Sequence, residues 1–163
     1  MGINVLKPYP ILFVCLGNIC RSPLGEGIFR HLARERGVEH RFPADSAGTG
    51  AWHAGSPPDP RSVEIARRHQ IDISAQRARQ LTREDFDGFA LILAMDRANL
   101  AEIRRSAPSD ATAEIALFSE YTGLGTRDVP DPYYGGEDGF AKVYSMLFSG
   151  CNSLVTRLGD QVS

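Results

Sequence analysis

The chain has 163 residues with 18 Lys or Arg against 20 Asp or Glu, a length that suits one domain, and we expect residues 1–163 to form it. Its formal net charge of −2 gives no broad basic surface for nucleic acid or for an anionic membrane. No apolar run approaches the roughly 18 residues of a membrane span, and the N-terminus lacks a signal-peptide pattern.

Strand and helix patterns alternate along the chain, as is typical of a parallel sheet with helices on both faces. Residues 10–15 contain an uninterrupted apolar run and predict a buried strand. A helix pattern follows at residues 24–37, with Pro23 in its first turn. Further strands are expected at 41–46, 89–95 and 115–118, and further helices at 61–69, after the capping-box pattern at 82–85, at 97–106 and at 137–158. We therefore predict an α/β fold of three layers, a doubly wound, four-stranded parallel sheet with helices on both faces.

The segment CLGNICRSP, which connects the first strand to the first helix, is the most informative motif. Cys15 stands at the end of the strand, and Arg21 follows six positions later. In such a loop the backbone N–H groups converge, the helix N-terminus adds positive charge, and a guanidinium can bind two oxygens. The same positive field favours a thiolate. The motif predicts a pocket for a tetrahedral dianion with a nucleophile inside it, which is typical of phosphoryl transfer through a cysteinyl-phosphate.

The cysteines allow other interpretations. A cysteine after a strand is often a small core residue, and Cys15 with Cys20 could form part of a metal site or a disulfide. A metal site is disfavoured because only Cys151 and four scattered histidines remain, none in ligand spacing. We expect neither a metal nor another cofactor. Three cysteines, one of which must stay a thiolate, fit a reducing compartment, so a cytoplasmic location is expected.

Asp131 is the second candidate for catalysis. It lies between two prolines, whose restricted backbone lets the carboxyl group be aimed. Asp-Pro is also common in simple turns. Beside a cysteine nucleophile, however, a carboxylic acid can protonate the leaving oxygen and then assist water. A module that merely binds phosphorylated partners would require neither the nucleophile nor the acid.

These motifs resemble those of the low-molecular-weight protein tyrosine phosphatases. The segments DSAGT from Asp45, PDPR from Pro58, ARQL from Ala78 and DPYYG from Asp131 follow in the family's order. The resemblance implies hydrolysis of phosphotyrosine and of small aryl phosphates. It implies that Cys15 is the nucleophile, Arg21 the phosphate clamp and Asp131 the general acid and base.

The remaining site residues divide into a substrate pocket and a supporting network. We expect Asn18 to adopt a left-handed conformation and to brace the loop with its amide, and the Ser22 hydroxyl to hydrogen-bond the Cys15 sulfur. The resemblance places pocket walls on flanking loops and Ser46 in an outer network with Gln76, where the family often has histidine. Because glutamine cannot titrate, we expect no pH-dependent role for this outer network. The residues expected to bind substrate are Leu16, Gly17, Asn18, Ile19, Cys20, Ser22, Trp52, Tyr133 and Tyr134.

Some assignments stay open at the level of sequence. Cys20 could trap oxidised Cys15 as a disulfide, or simply fill the loop interior. Tyr134 could form part of the pocket, pack locally or be phosphorylated. Asp59 and Asp96 are expected first to start helices, and His53 has no partner pattern.

The sequence also bears on two related enzyme activities and on the expected partners. Arsenate reductases of this fold need further redox cysteines, and residues 70–100 contain none. Protein arginine phosphatases tend to have threonine at the position of Ile19 and to lack the tyrosine pair after Asp-Pro, so phosphotyrosine is favoured. The expected partner is a tyrosine-phosphorylated protein, in bacterial relatives an autophosphorylated tyrosine kinase, with no nucleic acid and no membrane. A monomer or weak dimer is expected.

Overall fold

The computed structural model describes residues 7–162, with a parallel sheet of four strands at its centre in the order β2-β1-β3-β4. The strands are β1 Ile11–Cys15, β2 Ala44–Gly48, β3 Leu91–Ala94 and β4 Glu114–Leu117. All of β1 and β3 is buried, because both faces of the sheet are covered, and this explains why both strands are continuous apolar runs. The predicted α/β fold with a four-stranded parallel sheet is confirmed.

In the described part of the chain, six helices connect and cover the strands. They are α1 Arg21–Glu35, α2 Pro60–Arg67, α3 Asp85–Gly88, α4 Arg97–Ser106, α5 Phe118–Tyr121 and α6 Glu137–Val162, and a 3-10 turn occupies Glu39–Arg41. One core forms between the sheet and helices α1, α2, α5 and α6, and contains Ile11 and Phe13. A second core forms on the other face with α3 and α4, and contains Leu12 and Val14. Successive residues of β1 therefore point into opposite cores.

Several predicted boundaries are wrong, each for a local reason. The first helix begins at Arg21 rather than at residue 24, so the arginine belongs to its first turn. The second strand begins at Ala44, because residues 39–41 form the 3-10 turn, and it extends to Gly48, which pairs with Cys15. The last strand ends at Leu117, because Phe118 starts the unpredicted helix α5.

The strand order locates the site. From β1 the chain crosses to β2 on one side of the sheet, and it later returns to β3 on the other side of β1. The carboxyl end of β1 is therefore the point where the strand order reverses, and such points hold the ligand crevices of open parallel sheets. Cys15 is the last residue of β1. Within residues 7–162, none of the helices is both long enough and apolar enough to cross a membrane.

Candidate active site

A cavity of about 370 Å³ opens at the carboxyl end of β1. The structure brings together there ten of the residues predicted from the sequence, and adds His53, which sequence reasoning missed. Asn18 and Ser22, which were expected to bind substrate, are not among the described residues that line the cavity, and neither are Ser46 and Gln76 of the supporting network. The lining residues are Cys15, Leu16, Gly17, Ile19, Cys20, Arg21, Trp52, His53, Asp131, Tyr133 and Tyr134.

The loop of residues 15–22, which we call the Cys15 loop, binds other segments of the chain through three of its carbonyl groups. The carbonyl oxygens of Cys15, Leu16 and Ile19 accept hydrogen bonds from the N–H groups of Thr49, Gly50 and Asp59 at 2.8–2.9 Å. Within the described part of the chain, the N–H groups of residues 16–20 donate no hydrogen bond. Because backbone donors are rarely left unpaired, this arrangement suits an anion with several acceptor oxygens.

Asn18 supports the Cys15 loop from behind. Its φ of 59° places it in the left-handed conformation expected from the sequence. Its side-chain amide donates hydrogen bonds to the hydroxyl oxygens of Ser22 at 2.8 Å and Ser46 at 2.9 Å, and its carbonyl oxygen accepts one from the Arg79 N–H at 3.0 Å. All the hydrogen-bonding groups of the amide except its second lone pair are engaged, which fixes the turn of the loop.

The nucleophile candidate contacts this same network. The Sγ atom of Cys15 lies 3.0 Å from the Oγ atom of Ser22, as the sequence predicted. The Ser22 oxygen accepts a hydrogen bond from Asn18, and its single proton has two acceptors within reach, the sulfur and, at the longer distance of 3.4 Å, the Ala47 carbonyl oxygen. Cys15 and Ser22 are both buried, so this contact is shielded from water.

Arg21 is fully buried and rigidly held. One terminal nitrogen donates to the Asp96 carboxylate at 2.6 Å and to the Val129 carbonyl oxygen at 3.0 Å. Its Nε atom is buried and has no hydrogen-bond partner within residues 7–162, although buried guanidinium donors are normally paired. Burial alone would lower the pKa of Arg21, but the negative charges of Cys15, Asp96 and Asp131 raise it. The guanidinium is thus anchored on one side and free to bind oxygens on the other.

Asp131 reaches the cavity from the loop before α6. Its Oδ2 atom lies 3.6 Å from the second terminal nitrogen of Arg21, and its Oδ1 atom accepts a hydrogen bond from the Tyr133 N–H at 3.0 Å. The side chain is 40% exposed, so water reaches it. Cys15, Arg21 and Asp131 therefore surround one cavity.

Behind Ser46 lies a buried carboxyl group that sequence reasoning missed. The Ser46 hydroxyl donates to the Glu26 carboxylate at 2.9 Å and lies 3.5 Å from the Gln76 side-chain oxygen. Gln76 in turn donates to the carbonyl oxygen of Pro23 at 3.1 Å. Burial raises the pKa of Glu26 to about 7, against the opposing effects of Arg30 and the Ser46 hydrogen bond. A titratable group is thus present in the network of Ser46 and Gln76, where none was expected.

Aromatic side chains form the outer wall of the cavity. Trp52 is 72% exposed and Tyr134 is 94% exposed, and Tyr133 is exposed to a smaller extent, at 38%. The two tyrosine rings meet edge to face with centroids 5.0 Å apart, which gives a wall suited to a flat ring. Exposed aromatic groups around a concave anion site are the arrangement expected for an aryl phosphate.

Comparisons with known proteins agree with this geometry. A model of the low molecular weight phosphotyrosine protein phosphatase family matches residues 10–163. The chain belongs to this family. It is 48% identical over 143 residues to the low molecular weight phosphotyrosine protein phosphatase of Schizosaccharomyces pombe, which covers 86% of this chain and 91% of that protein. It is therefore a protein-tyrosine phosphatase, a hydrolase that acts on phosphorylated protein.

Two solved structures extend the comparison. YfkJ from Bacillus subtilis is 40% identical and superposes with a TM-score of 0.88, covering 96% of this chain and 98% of that one. DARP, an arginine phosphatase from Drosophila, is 32% identical with a TM-score of 0.83, covering 90% and 96%. Proteins with this fold thus include phosphatases that are named for different phosphorylated residues.

Two aspartates of this phosphatase have a second role besides starting helices. Asp96 caps α4 by accepting from the Asn99 N–H at 2.7 Å, and its other oxygen holds Arg21. Asp59 caps α2, while its own N–H binds the carbonyl oxygen of Ile19 in the Cys15 loop. Capping is visible from local sequence, but the contacts with the site depend on residues far away in the chain.

Cys20 lines the cavity beside Cys15. Burial and, next, the negative charge of Asp59 raise the pKa of Cys20 to about 12, so its thiol stays protonated at neutral pH. Cys15, Cys20 and Cys151 are all free thiols in the structure. Within residues 7–162, no group of His, Cys, Asp and Glu side chains is arranged to hold a metal ion.

Proposed function

We propose that this phosphatase hydrolyses phosphotyrosine in proteins through a covalent intermediate on Cys15. The observation that supports this most strongly is the buried guanidinium of Arg21, whose Nε atom is unpaired and which lines the same cavity as the Cys15 sulfur. A bidentate clamp on two phosphate oxygens would bring phosphorus to the thiolate. The free N–H groups of residues 16–20 would bind the remaining oxygens.

In the first step the Cys15 thiolate attacks phosphorus, the bond to the tyrosine oxygen breaks, and protonated Asp131 donates its proton to that oxygen. In the second step ionised Asp131 accepts a proton from water, which attacks the cysteinyl-phosphate and releases phosphate. The Ser22 hydroxyl, 3.0 Å from the sulfur, stabilises the thiolate when it attacks and when it leaves. Because one carboxyl group serves first as acid and then as base, we expect rates to be highest on the acid side of neutrality.

The aromatic side chains of the cavity wall recognise the phosphorylated residue. Trp52, Tyr133 and Tyr134 with Leu16 and Ile19 provide apolar surface around an anion site, which favours an aryl phosphate over a short aliphatic one. We therefore propose phosphotyrosine and small aryl phosphates as substrates. Phosphoarginine is the second candidate, because the Drosophila arginine phosphatase has the same fold.

The partner and setting of the reaction are part of the proposal. A tyrosine-phosphorylated protein, such as an autophosphorylated bacterial tyrosine kinase, is the proposed substrate. The free thiols favour a reducing compartment such as the cytoplasm, where a reactive cysteine is preserved. A single domain, a monomer or weak dimer, and a protective disulfide between Cys15 and Cys20 stay predictions.

Hydrolysis of a chromogenic aryl phosphate tests the proposal. The wild-type protein should release phosphate in a reaction that vanadate inhibits, Cys15→Ser should abolish turnover, and inorganic phosphate should still bind the variant. Cys151→Ala is the matched control, because this buried cysteine lies in α6 away from the cavity and should leave turnover unchanged. Substantial turnover by Cys15→Ser would contradict the assignment of the nucleophile. A kinetic comparison of phosphotyrosine with phosphoarginine peptides decides between the two substrates.

A further inference from the structure

A side chain of α2 holds the backbone that follows Asp131, whereas Val129, before it, is held by Arg21 and Met95. We call residues 130–135 the acid loop. Arg61 donates hydrogen bonds to the carbonyl oxygens of Tyr133 at 3.0 Å and Gly135 at 3.4 Å. Within residues 7–162, no side chain or N–H group outside the acid loop other than Arg61 donates to the backbone carbonyls of residues 132–135. Arg61 therefore restrains the second half of the acid loop from outside.

The same guanidinium also contacts two aromatic rings. Its central carbon lies 5.6 Å from the centroid of the Tyr133 ring and 4.5 Å from that of Phe140, near the start of α6. Both distances are within the range of about 6 Å in which a cation is attracted to a ring face. Arg61 thus contacts one wall of the substrate pocket as well as the backbone that directly follows the proposed acid.

Arg61 is itself oriented by Asp59. Its Nε atom donates to one Asp59 oxygen at 3.0 Å and a terminal nitrogen donates to the other at 2.9 Å, which forms a bidentate pair. The hydrogen bond from Arg61 lowers the pKa of Asp59, so the carboxylate stays ionised. The Asp59 N–H donates to the carbonyl oxygen of Ile19 at 2.8 Å. A continuous chain of hydrogen bonds therefore joins the Cys15 loop, Asp59, Arg61 and the acid loop.

We propose that Arg61 is a positioning residue, which sets the distance between the carboxyl group of Asp131 and the leaving oxygen and orients the Tyr133 wall. This inference rests on the proposed role of Asp131 as general acid. Arginine is required because its guanidinium donates four hydrogen bonds at once, two to Asp59 and two to carbonyl oxygens. The compact ammonium group of lysine cannot match this geometry. A displacement of the acid by about 1 Å is enough to impair proton transfer.

The test measures kcat/KM for a series of aryl phosphates whose phenol leaving groups differ in pKa. Arg61→Met should lower kcat/KM for phenyl phosphate about tenfold, and for a dinitrophenyl phosphate less than about twofold, because only the poor leaving group needs the proton. Arg61→Lys, which keeps the charge beside Asp59 but not the fork, should give an intermediate loss for phenyl phosphate. Inhibition by inorganic phosphate should stay within about twofold of wild type, because the Cys15 loop keeps its own anchors.

Arg67→Met is the matched control. Arg67 lies on the same helix, is 64% exposed, and forms an ion pair with the exposed Glu64 at 3.8 Å, so this variant should show wild-type rates with every substrate. Equal losses across the substrate series in Arg61→Met, together with weaker phosphate inhibition, would show a merely structural role and overturn the inference. If Arg61→Met does not fold, Arg61→Lys carries the same comparison, and a wild-type leaving-group dependence in that variant overturns the inference.

Asp131→Ala, measured in parallel, separates this inference from the proposed function. A steep leaving-group dependence in Asp131→Ala but not in the Arg61 variants would contradict the role of Arg61 alone. Equal losses in Asp131→Ala on good and poor leaving groups would contradict the acid itself, and the inference would fail with it.

Discussion

Replacing Glu26 by glutamine should change how the stability of this phosphatase depends on pH. The Glu26 side chain is only 4% exposed, accepts a hydrogen bond from Ser46 at 2.9 Å and lies 3.2 Å from Arg30. Burial raises its pKa from the ordinary 4.5 to about 7, and the nearby charge of Asp45 adds to this, while Arg30, Ser46 and Arg79 oppose it. Ionising Glu26 is therefore costly in the folded protein.

The size and sign of the effect follow from proton linkage. Between pH 4.5 and about 7 the folded protein keeps a proton that the unfolded chain has released, so stability falls as the pH rises through this window. The difference in pKa is roughly 2.5, and at about 1.36 kcal/mol for each pKa unit the full effect is about 3 kcal/mol. This contribution is present below the pKa of the unfolded chain and is lost above that of the folded protein.

Urea denaturation of wild-type protein and Glu26→Gln measures the effect. The amide cannot ionise, so the free energy of unfolding of wild type relative to the variant should fall by about 2–3 kcal/mol between about pH 5 and about pH 8. Glu64→Gln is the control, because Glu64 is 52% exposed on α2, and it should show no such trend. Parallel pH curves for wild type and Glu26→Gln would refute the reasoning.

Three further substitutions test the packing around the site. A methyl group at Gly48 would lie 2.8 Å from a backbone oxygen of the Cys15 loop, so Gly48→Ala should weaken inhibition by inorganic phosphate by about tenfold or more; an unchanged inhibition constant would contradict this. Asp96→Asn can still cap α4 but turns an N–H group toward Arg21, so urea denaturation should show a loss of about 1–3 kcal/mol and phosphate titration a clear loss of affinity. Gly150→Ala would place a methyl group 2.4 Å from the ring of Phe118, and should destabilise the folded protein by about 1–3 kcal/mol while leaving its kcat near wild type. A variant as stable as wild type would contradict this, because it would show that Phe118 moves aside without cost.

The features that could be predicted from the sequence are those encoded within a few consecutive residues. The Cys15 loop is one continuous segment between a strand and a helix, so its apolar run, its asparagine and its arginine indicate a turn and an anion site together. The left-handed Asn18 and the contact between Cys15 and Ser22 are of this kind. The alternation of strands and helices likewise predicts a parallel sheet, because a crossover between parallel strands needs a helix.

The remaining features depend on which distant segments meet. Glu26 looks like an ordinary surface residue of a helix until folding brings Ser46 over it and removes water, which raises its pKa. Asp96 lies 75 positions from the guanidinium that it holds, and Arg61 lies 72 positions from the Tyr133 carbonyl that it binds. The separation of two residues along the sequence does not tell whether they are close in space. The motif thus encodes where the nucleophile stands, whereas burial and long-range packing decide how its arginine, its acid and its buried carboxyl group are held.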